Sequence, residues 1–394
     1  MHNSWWRNLD IQVVLWVSFL SILGYGAQRA ILPWHMSSLG MDPALAGVFL
    51  SFFGPPRALM NIVGGYLTDT FRRKVNFLLG VALYGVVGYV VLAFSLNSAA
   101  IAASRVLIGL GLAWGTTAAM AILSDYSTPE IRGTVFGVQK GFYWVGIALS
   151  GYMAVVAYNR WGFMPTMLLS AGLGCLSLVL IGQLMSSCTP PETGELRLER
   201  RNRGWMETFK ALARDPRYTA LSFGGLLAKI VEDGLVIVLL PMFFAGSVVA
   251  AGLSVTAFTV AFAVFQPFGG ALSDGWGRKR VITRGMVLTI IGAALLINEP
   301  GTVLIVISSF VMGVGVAVLS PAAEAMAGDL AAERVRATAI GYWRFQRDMG
   351  SFWGPLILPV ITLSIGKDMV LFILIVLLLT SGVACARWLP GKAD

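Results

Sequence analysis

"GGALSDGWGRKR" occupies Gly269 to Arg280, and "GGYLTDTFRRK" occupies Gly64 to Lys74. Gly65, Leu67 and Asp69 of the second stretch fall on Gly270, Leu272 and Asp274 of the first, at an offset of 205 residues. Each stretch puts one carboxylate and a basic run between two long apolar segments. A chain that is 57% hydrophobic and 12% charged has little charge to distribute, and this one concentrates it twice in the same order.

The repeat extends outward from these two anchors. "PEIRGTVFGVQKGFYWVG" from Pro129 aligns with "ERVRATAIGYWRFQRDMG" from Glu333 at an offset of 204. Arg132 falls on Arg336, Gly137 on Gly341, Lys140 on Arg344 and Gly146 on Gly350, and Asp125 falls on Asp329. Duplicated halves of this kind mark a transporter built around a pseudo-two-fold axis.

Composition says what surrounds the halves. Soluble domains carry about a quarter charged residues, and the mean hydropathy here is +0.76. The surrounding medium must be lipid. Roughly 20 apolar residues cross a bilayer as a helix, so 394 residues accommodate twelve such spans with tight turns. The pattern predicts spans at 11–32, 43–67, 75–95, 99–123, 132–157, 164–187, 217–241, 250–272, 281–298, 302–326, 335–362 and 367–387. The fold expected is an all-α integral membrane protein with two pseudo-symmetric six-helix bundles, 1–187 and 217–394, joined by a polar linker, 188–216. That linker is expected to include a short helix on the membrane surface.

The net charge of +9 does not point to nucleic acid, because basic residues gather in alternate loops. Arg72 to Lys74, Arg132, the group from Arg197 to Lys210, Arg278 to Arg280, and Arg334 with Arg336 all fall on one side. Positive-inside places that side and both termini in the cytoplasm. Short loops with no appended domain suit a bacterial inner membrane. Two histidines and the scattered Cys175, Cys188 and Cys385 give no metal or disulfide pattern. No cofactor is expected.

At this point the chain resembles the major facilitator superfamily. "GALSDGWGRK" meets every position of that family's glycine–leucine–aspartate–basic signature, and "GYLTDTFRRK" departs from it only where Arg72 replaces the second glycine. The resemblance implies alternating access to a central cavity. It gives Gly65, Asp69 and Arg73, with Gly270, Asp274 and Arg278, the role of latching the cytoplasmic side. "SRVLIGLG" from Ser104 resembles the fourth-helix motif, which implies a part in proton transfer for Arg105, although Ile108 stands where glutamine is usual. The start of the chain resembles the twelve-span drug–proton antiporters. The glycine-rich fifth helix of the exporters is incomplete, since Ser150 and Gly151 replace its Gly-Pro pair; Gly354 and Pro355 supply a better copy in span eleven.

Ionisable groups inside spans cost roughly 2.5–3.5 kcal/mol each on insertion scales and default to functional candidates. Seven basic residues (Arg29, Arg57, Arg105, Lys140, Lys229, Arg344, Arg347) face four acids (Glu232, Asp233, Glu324, Asp348). Lys229, Glu232 and Asp233 share one helical face and can pair. Arg344, Arg347 and Asp348 repeat that spacing. Lys140, Arg29 and Arg57 have no acid at helical spacing. Glu324, near the end of span ten, reads as a solvated end residue.

These residues sort into two expected roles. Arg29, Arg57, Lys140, Tyr143, Trp144, Trp343, Arg344 and Arg347 are candidates for solute binding. Glu232 and Asp233, with Lys229, Asp348 and Arg105, are candidates for proton coupling, because the second half alone offers acids deep in a span. The function expected is a proton-coupled exporter of a small amphipathic organic solute, acting as a monomer in the bilayer. The alternative is an importer of an organic anion held by Lys140 and Arg344. A lipid-modifying membrane enzyme would need a nucleophile or metal set, and neither HExxH nor GxSxG is present.

Overall fold

The computed structural model describes residues 8–95, 97–126, 129–184, 205–298, 301–331 and 336–391. Among these residues the helices line up as twelve rods and one short extra helix. The first half contains α1 (Leu9–Ser38), α2 (Pro43–Ser51), α3 (Gly54–Thr70), α4 (Arg73–Ala93), α5 (Ser98–Asp125), α6 (Pro129–Trp161) and α7 (Phe163–Leu184). The short helix is α8 (Trp205–Arg214). The second half contains α9 (Pro216–Lys229, running on as a π-helix over Ile230–Phe244), α10 (Val248–Trp276), α11 (Arg278–Ala294), α12 (Thr302–Asp329), α13 (Arg336–Asp348), α14 (Gly350–Ile365) and α15 (Lys367–Trp388). Nine helices among the described residues are long and apolar enough to cross a membrane.

Local chemistry sets the ends. The Asn8 side chain accepts from the backbone N–H of Asp10 and Ile11, Asp42 accepts from Ala44 and Leu45, and Ser247 accepts from Ala250. Each satisfies donors that a helix start leaves orphaned. Gly162 and Gly366 join α6 to α7 and α14 to α15 at φ of 83° and 84°. They lie 204 residues apart, so the duplicated halves keep the same left-handed joint, a conformation that glycine alone adopts cheaply.

Two rods are broken where one helix was expected. The second span divides at Phe52 and Phe53, just before Gly54-Pro55-Pro56, whose prolines belong in a first helical turn. The eleventh divides at Met349, between Asp348 and Gly350. The seventh span changes from α to π winding at Ile230. Most of the expected linker, residues 188–204, lies outside the described residues. Its end forms α8, which packs Leu212 into the core of the second half.

The rods bury two cores, one for each half. The outer faces stay apolar, with Val303, Val383 and Tyr152 exposed, as rods in lipid require. Hydroxyls within the rods donate back along their own helices, as Thr259 does to Val255 O and Ser320 to Val316 O. This satisfies those donors within their own helices. Between the halves, α2 and the start of α3 lie against α14, and α6 lies against α10. Small residues permit the approach: a Cβ on Gly47 would collide with the Pro355 carbonyl oxygen, and one on Gly54 would lie 2.6 Å from Phe352 N.

Candidate functional site: a buried charge cluster between the halves

Lys229, Glu232 and Asp233 stand where α9 changes winding, and π turns within α-helices often mark functional sites. The pairing expected from their spacing forms. Lys229 Nζ lies 2.8 Å from Glu232 Oε1 and 3.0 Å from Asp233 Oδ2. Arg29 enters from α1 of the other half, with Nη2 2.9 Å from Glu232 Oε1 and 3.1 Å from Asp233 Oδ1. Two cations thus hold two carboxylates, and all four side chains are at most 8% exposed. Ser351 Oγ donates to Asp233 Oδ2 at 2.5 Å. Buried ions need such partners, because each has given up its water.

A second group adjoins the first. Asn61 Nδ2 donates to Asp348 Oδ2 at 3.1 Å, and Arg57 Nε lies 3.8 Å from the same oxygen. Arg347 stands between Asp348 Oδ1 at 3.4 Å and Glu232 Oε2 at 3.8 Å. Arg29 and Arg57, with no acid at helical spacing, therefore find acidic partners elsewhere. The partners come from the opposite half, out of reach of a rule about i±3 and i±4 neighbours.

Arg344 corrects one expectation. It does not turn to Asp348 but forms an ion pair with Glu324 of α12. Glu324 is accordingly a paired group and not a solvated end residue. Lys140, the duplicate of Arg344, is exposed, and Glu324 lies within electrostatic range of both cations.

The aromatic candidates divide. Trp144 packs on Phe262 of the second half, ring centroids 4.2 Å apart, and Tyr143 meets Trp144 edge-on at 5.5 Å. Tyr143 also lines a small cavity with Ser18, Tyr84 and Thr116 inside the first half. Trp343, expected at the solute site, is 1% exposed and sits in the core of the second half. Its indole N–H points to Leu221 O at 3.4 Å, and its ring fills the space left by Gly225. The flat face that glycine offers lets the indole pack into that core.

Arg105 occupies a cavity between the halves together with Tyr25, Gln28, Arg29, Phe53 and Asp233. Its Nη1 donates to Gln28 Oε1 at 2.6 Å, and its guanidinium lies 4.7 Å over the Phe53 ring.

The signature arginines act in parallel. Arg73 pairs with Asp125 and donates from Nη1 to Ala121 O at 2.6 Å. Arg278 pairs with Asp329. Both contacts join the start of one rod to the end of another within one half. A Cβ on Gly270 would meet nothing within 4 Å. Gly65 lies within α3, and the side chains of Asp69 and Asp274 lie outside what is described.

Sequence reasoning passed over Gln28, Asn61 and Ser351, and gave no role to Asp125 and Asp329. Gln28 and Asn61 could have been found as polar side chains deep in apolar spans. Asp125 and Asp329 could have been found by asking what the duplicated arginines would meet.

The sequence profile described as "Major Facilitator Superfamily" matches residues 14–246 and 221–394. An uncharacterized MFS-type transporter of Methanocaldococcus jannaschii is 25% identical over 349 residues, 85% of this chain and 84% of that protein. The quinolone resistance protein NorA of Staphylococcus aureus is 25% identical over 157 residues, so the match spans 40% of NorA and 39% of this chain. Among solved structures, the nucleoside transporter NupG (D323A mutant) superposes with TM-score 0.79 at 16% identity, over 97% of this chain and all of that one. A bacterial Spinster homologue superposes with TM-score 0.78 at 15% identity, over 99% and 98%. The likeness to these structures is one of fold. With the profile matching both duplicated halves, the chain belongs to the major facilitator superfamily of secondary transporters.

Proposed function

We propose that the protein is a proton-coupled exporter of a small amphipathic organic solute, working by alternating access between the halves 1–187 and 217–394 about the linker 188–216. The reading rests on one observation: Arg29 of the first half completes a neutral quartet with Lys229, Glu232 and Asp233 of the second. When the halves part at this level, Arg29 leaves with its own half. Lys229 then faces two carboxylates, and that trio carries one negative charge. One proton restores neutrality, and it must be given up before Arg29 can return. Opening and protonation are thereby linked through the charge balance of the site.

Arg57 and Asp348 repeat the exchange beside the quartet, with Arg347 remaining on the second half. Tyr143 and Trp144 add aromatic wall to the solute's path between the halves. The basic loops and both termini face the cytoplasm of a bacterial inner membrane, and the protein acts as a monomer. The partial likeness to a quinolone resistance protein supports export of an organic solute. In proteoliposomes, Asp233→Asn and Glu232→Gln should each lose the response of flux to an imposed pH gradient. Gradient-driven flux surviving in both variants would remove this coupling site.

A second reading is import of an organic anion. It is favoured by Lys140 and Arg344, which place two cations around the single acid Glu324. Under this reading, expressing cells accumulate the solute, and Lys140→Gln loses its binding.

A further inference from the structure

Arg29, Arg105 and Lys229 are the cations buried deepest among the described residues of the rods. Arg29 and Lys229 each hold two carboxylates. Arg105 holds none: its polar contact is Gln28, its other contact is the face of Phe53, and it is 9% exposed. A guanidinium stays charged at any physiological pH, so its cost in a low-dielectric interior persists until an anion arrives.

The cavity around it is short of acceptors. Arg105 Nε, Arg29 Nε and Gln28 Nε2 have no hydrogen-bond partner. Asp233, the acid in the same wall, is already occupied by Arg29, Lys229 and Ser351. Gln28 Oε1 is taken by Arg105. All three side chains line one space, and unsatisfied buried donors call for an acceptor. The remainder of the wall is apolar, including Leu50 from the first half and Ile237 and Pro355 from the second. Phe53 stacks on Tyr25, ring centroids 5.7 Å apart, with the Arg29 guanidinium over the Tyr25 ring and those of Arg57 and Arg105 over the Phe53 ring.

We infer that Arg105 and Gln28 form the seat for the carboxylate of an organic acid, whose apolar body lies between Phe53 and the facing wall of the second half. The inference rests on the transporter reading and names the class of solute. In the closed arrangement the space is about 20 Å³, room for a head group or a water but not for the body of an acid. The body therefore enters when the halves part. Five cations (Arg29, Arg57, Arg105, Lys229, Arg347) gather here against three carboxylates (Glu232, Asp233, Asp348). A monocarboxylate lowers that surplus where it is least compensated.

The test uses the full-length protein in lipid nanodiscs at neutral pH and constant ionic strength. Benzoate and hexanoate are titrated against their uncharged isosteres benzamide and hexanamide, with thermal unfolding and tryptophan fluorescence as readouts. A charge-assisted contact predicts that the carboxylates bind about tenfold more tightly than the amides. Arg105→Gln should erase that preference, Arg105→Lys should keep part of it, and Gln28→Ala should weaken it with the charge in place. Equal binding of acids and amides by the wild type overturns the proposal, and so does a preference that survives in Arg105→Gln. Equal stabilisation by formate or chloride overturns it as well, because the site would then take an inorganic-sized ion. Asp233→Asn separates the two readings. Proton coupling can fail there while the preference for benzoate persists, and either result can be obtained without the other.

Discussion

A single guanidinium group, that of Arg29, lies 2.9 Å from Glu232 and 3.1 Å from Asp233, on the far side of the boundary between the halves. It is both a structural tie and a charge that the second half lacks when the tie opens. Removing one member of a buried pair costs about 3–5 kcal/mol, because the partner is left uncompensated. Arg29→Gln should therefore lower the thermal unfolding midpoint strongly. Adding Glu232→Gln should recover much of the loss, since Lys229 and Asp233 can then pair alone. A double-mutant cycle by thermal unfolding in detergent checks this, and additive losses would show that Arg29 and Glu232 do not interact.

Closure at the end remote from the signature loops depends on Gly47 and Gly54. A side chain at Gly47 meets the Pro355 carbonyl, and one at Gly54 meets the Phe352 backbone; neither backbone can yield by changing a rotamer. Gly47→Val should push α2 from α14 while leaving each half folded around its own core. Spin labels on Leu39→Cys and Gly246→Cys, in a background lacking Cys175, Cys188 and Cys385, should move apart in the variant. An unchanged label distance in a folded protein would mean that this contact does not hold the end shut.

The fold was legible because lipid imposes a simple rule: apolar length gives the spans, basic loops punctuate them, and the offset of 204 or 205 residues gives the duplication. Within the site, contacts at helical spacing were legible too, as Lys229 with Glu232 and Asp233 shows. What escaped were partners brought together by packing. Arg29 and Glu232 are 203 residues apart, and nothing in either local sequence names the other. Arg344 had an acid in helical register and took Glu324 from another rod instead. Trp343 looked like a cavity aromatic by position, but Gly225 across the helix interface determined where its ring would go.

That correction is testable. Trp343 is 1% exposed within a helix-packing core, and truncating such a side chain costs about 3–5 kcal/mol. Trp343→Ala should lose stability on that scale while keeping the order of preference among solutes. Trp144→Ala removes a ring that touches Phe262 across the boundary and should alter solute preference at a smaller cost in stability. Unfolding midpoints and competition binding on the same preparations separate the two. A changed preference in a stable Trp343→Ala protein would return that residue to the solute site.

The two signature pairs look equivalent by symmetry, yet their surroundings differ. Arg73 is 11% exposed and Asp125 25%, and Arg73 also donates to the Ala121 carbonyl near the end of α5. Arg278 is 25% exposed and Asp329 50%. Exposed pairs contribute about 0–1 kcal/mol because water screens them and ordering the side chains costs entropy. Charged hydrogen bonds in less accessible places contribute about 1.5–3 kcal/mol. Arg73→Ala should thus destabilise the protein by more than Arg278→Ala, and raised salt should weaken the Arg278 contact more than the Arg73 contact. Unfolding of both variants at low and high ionic strength checks the order. Equal losses with equal salt dependence would mean that symmetry, and not local burial, sets the strength of these pairs.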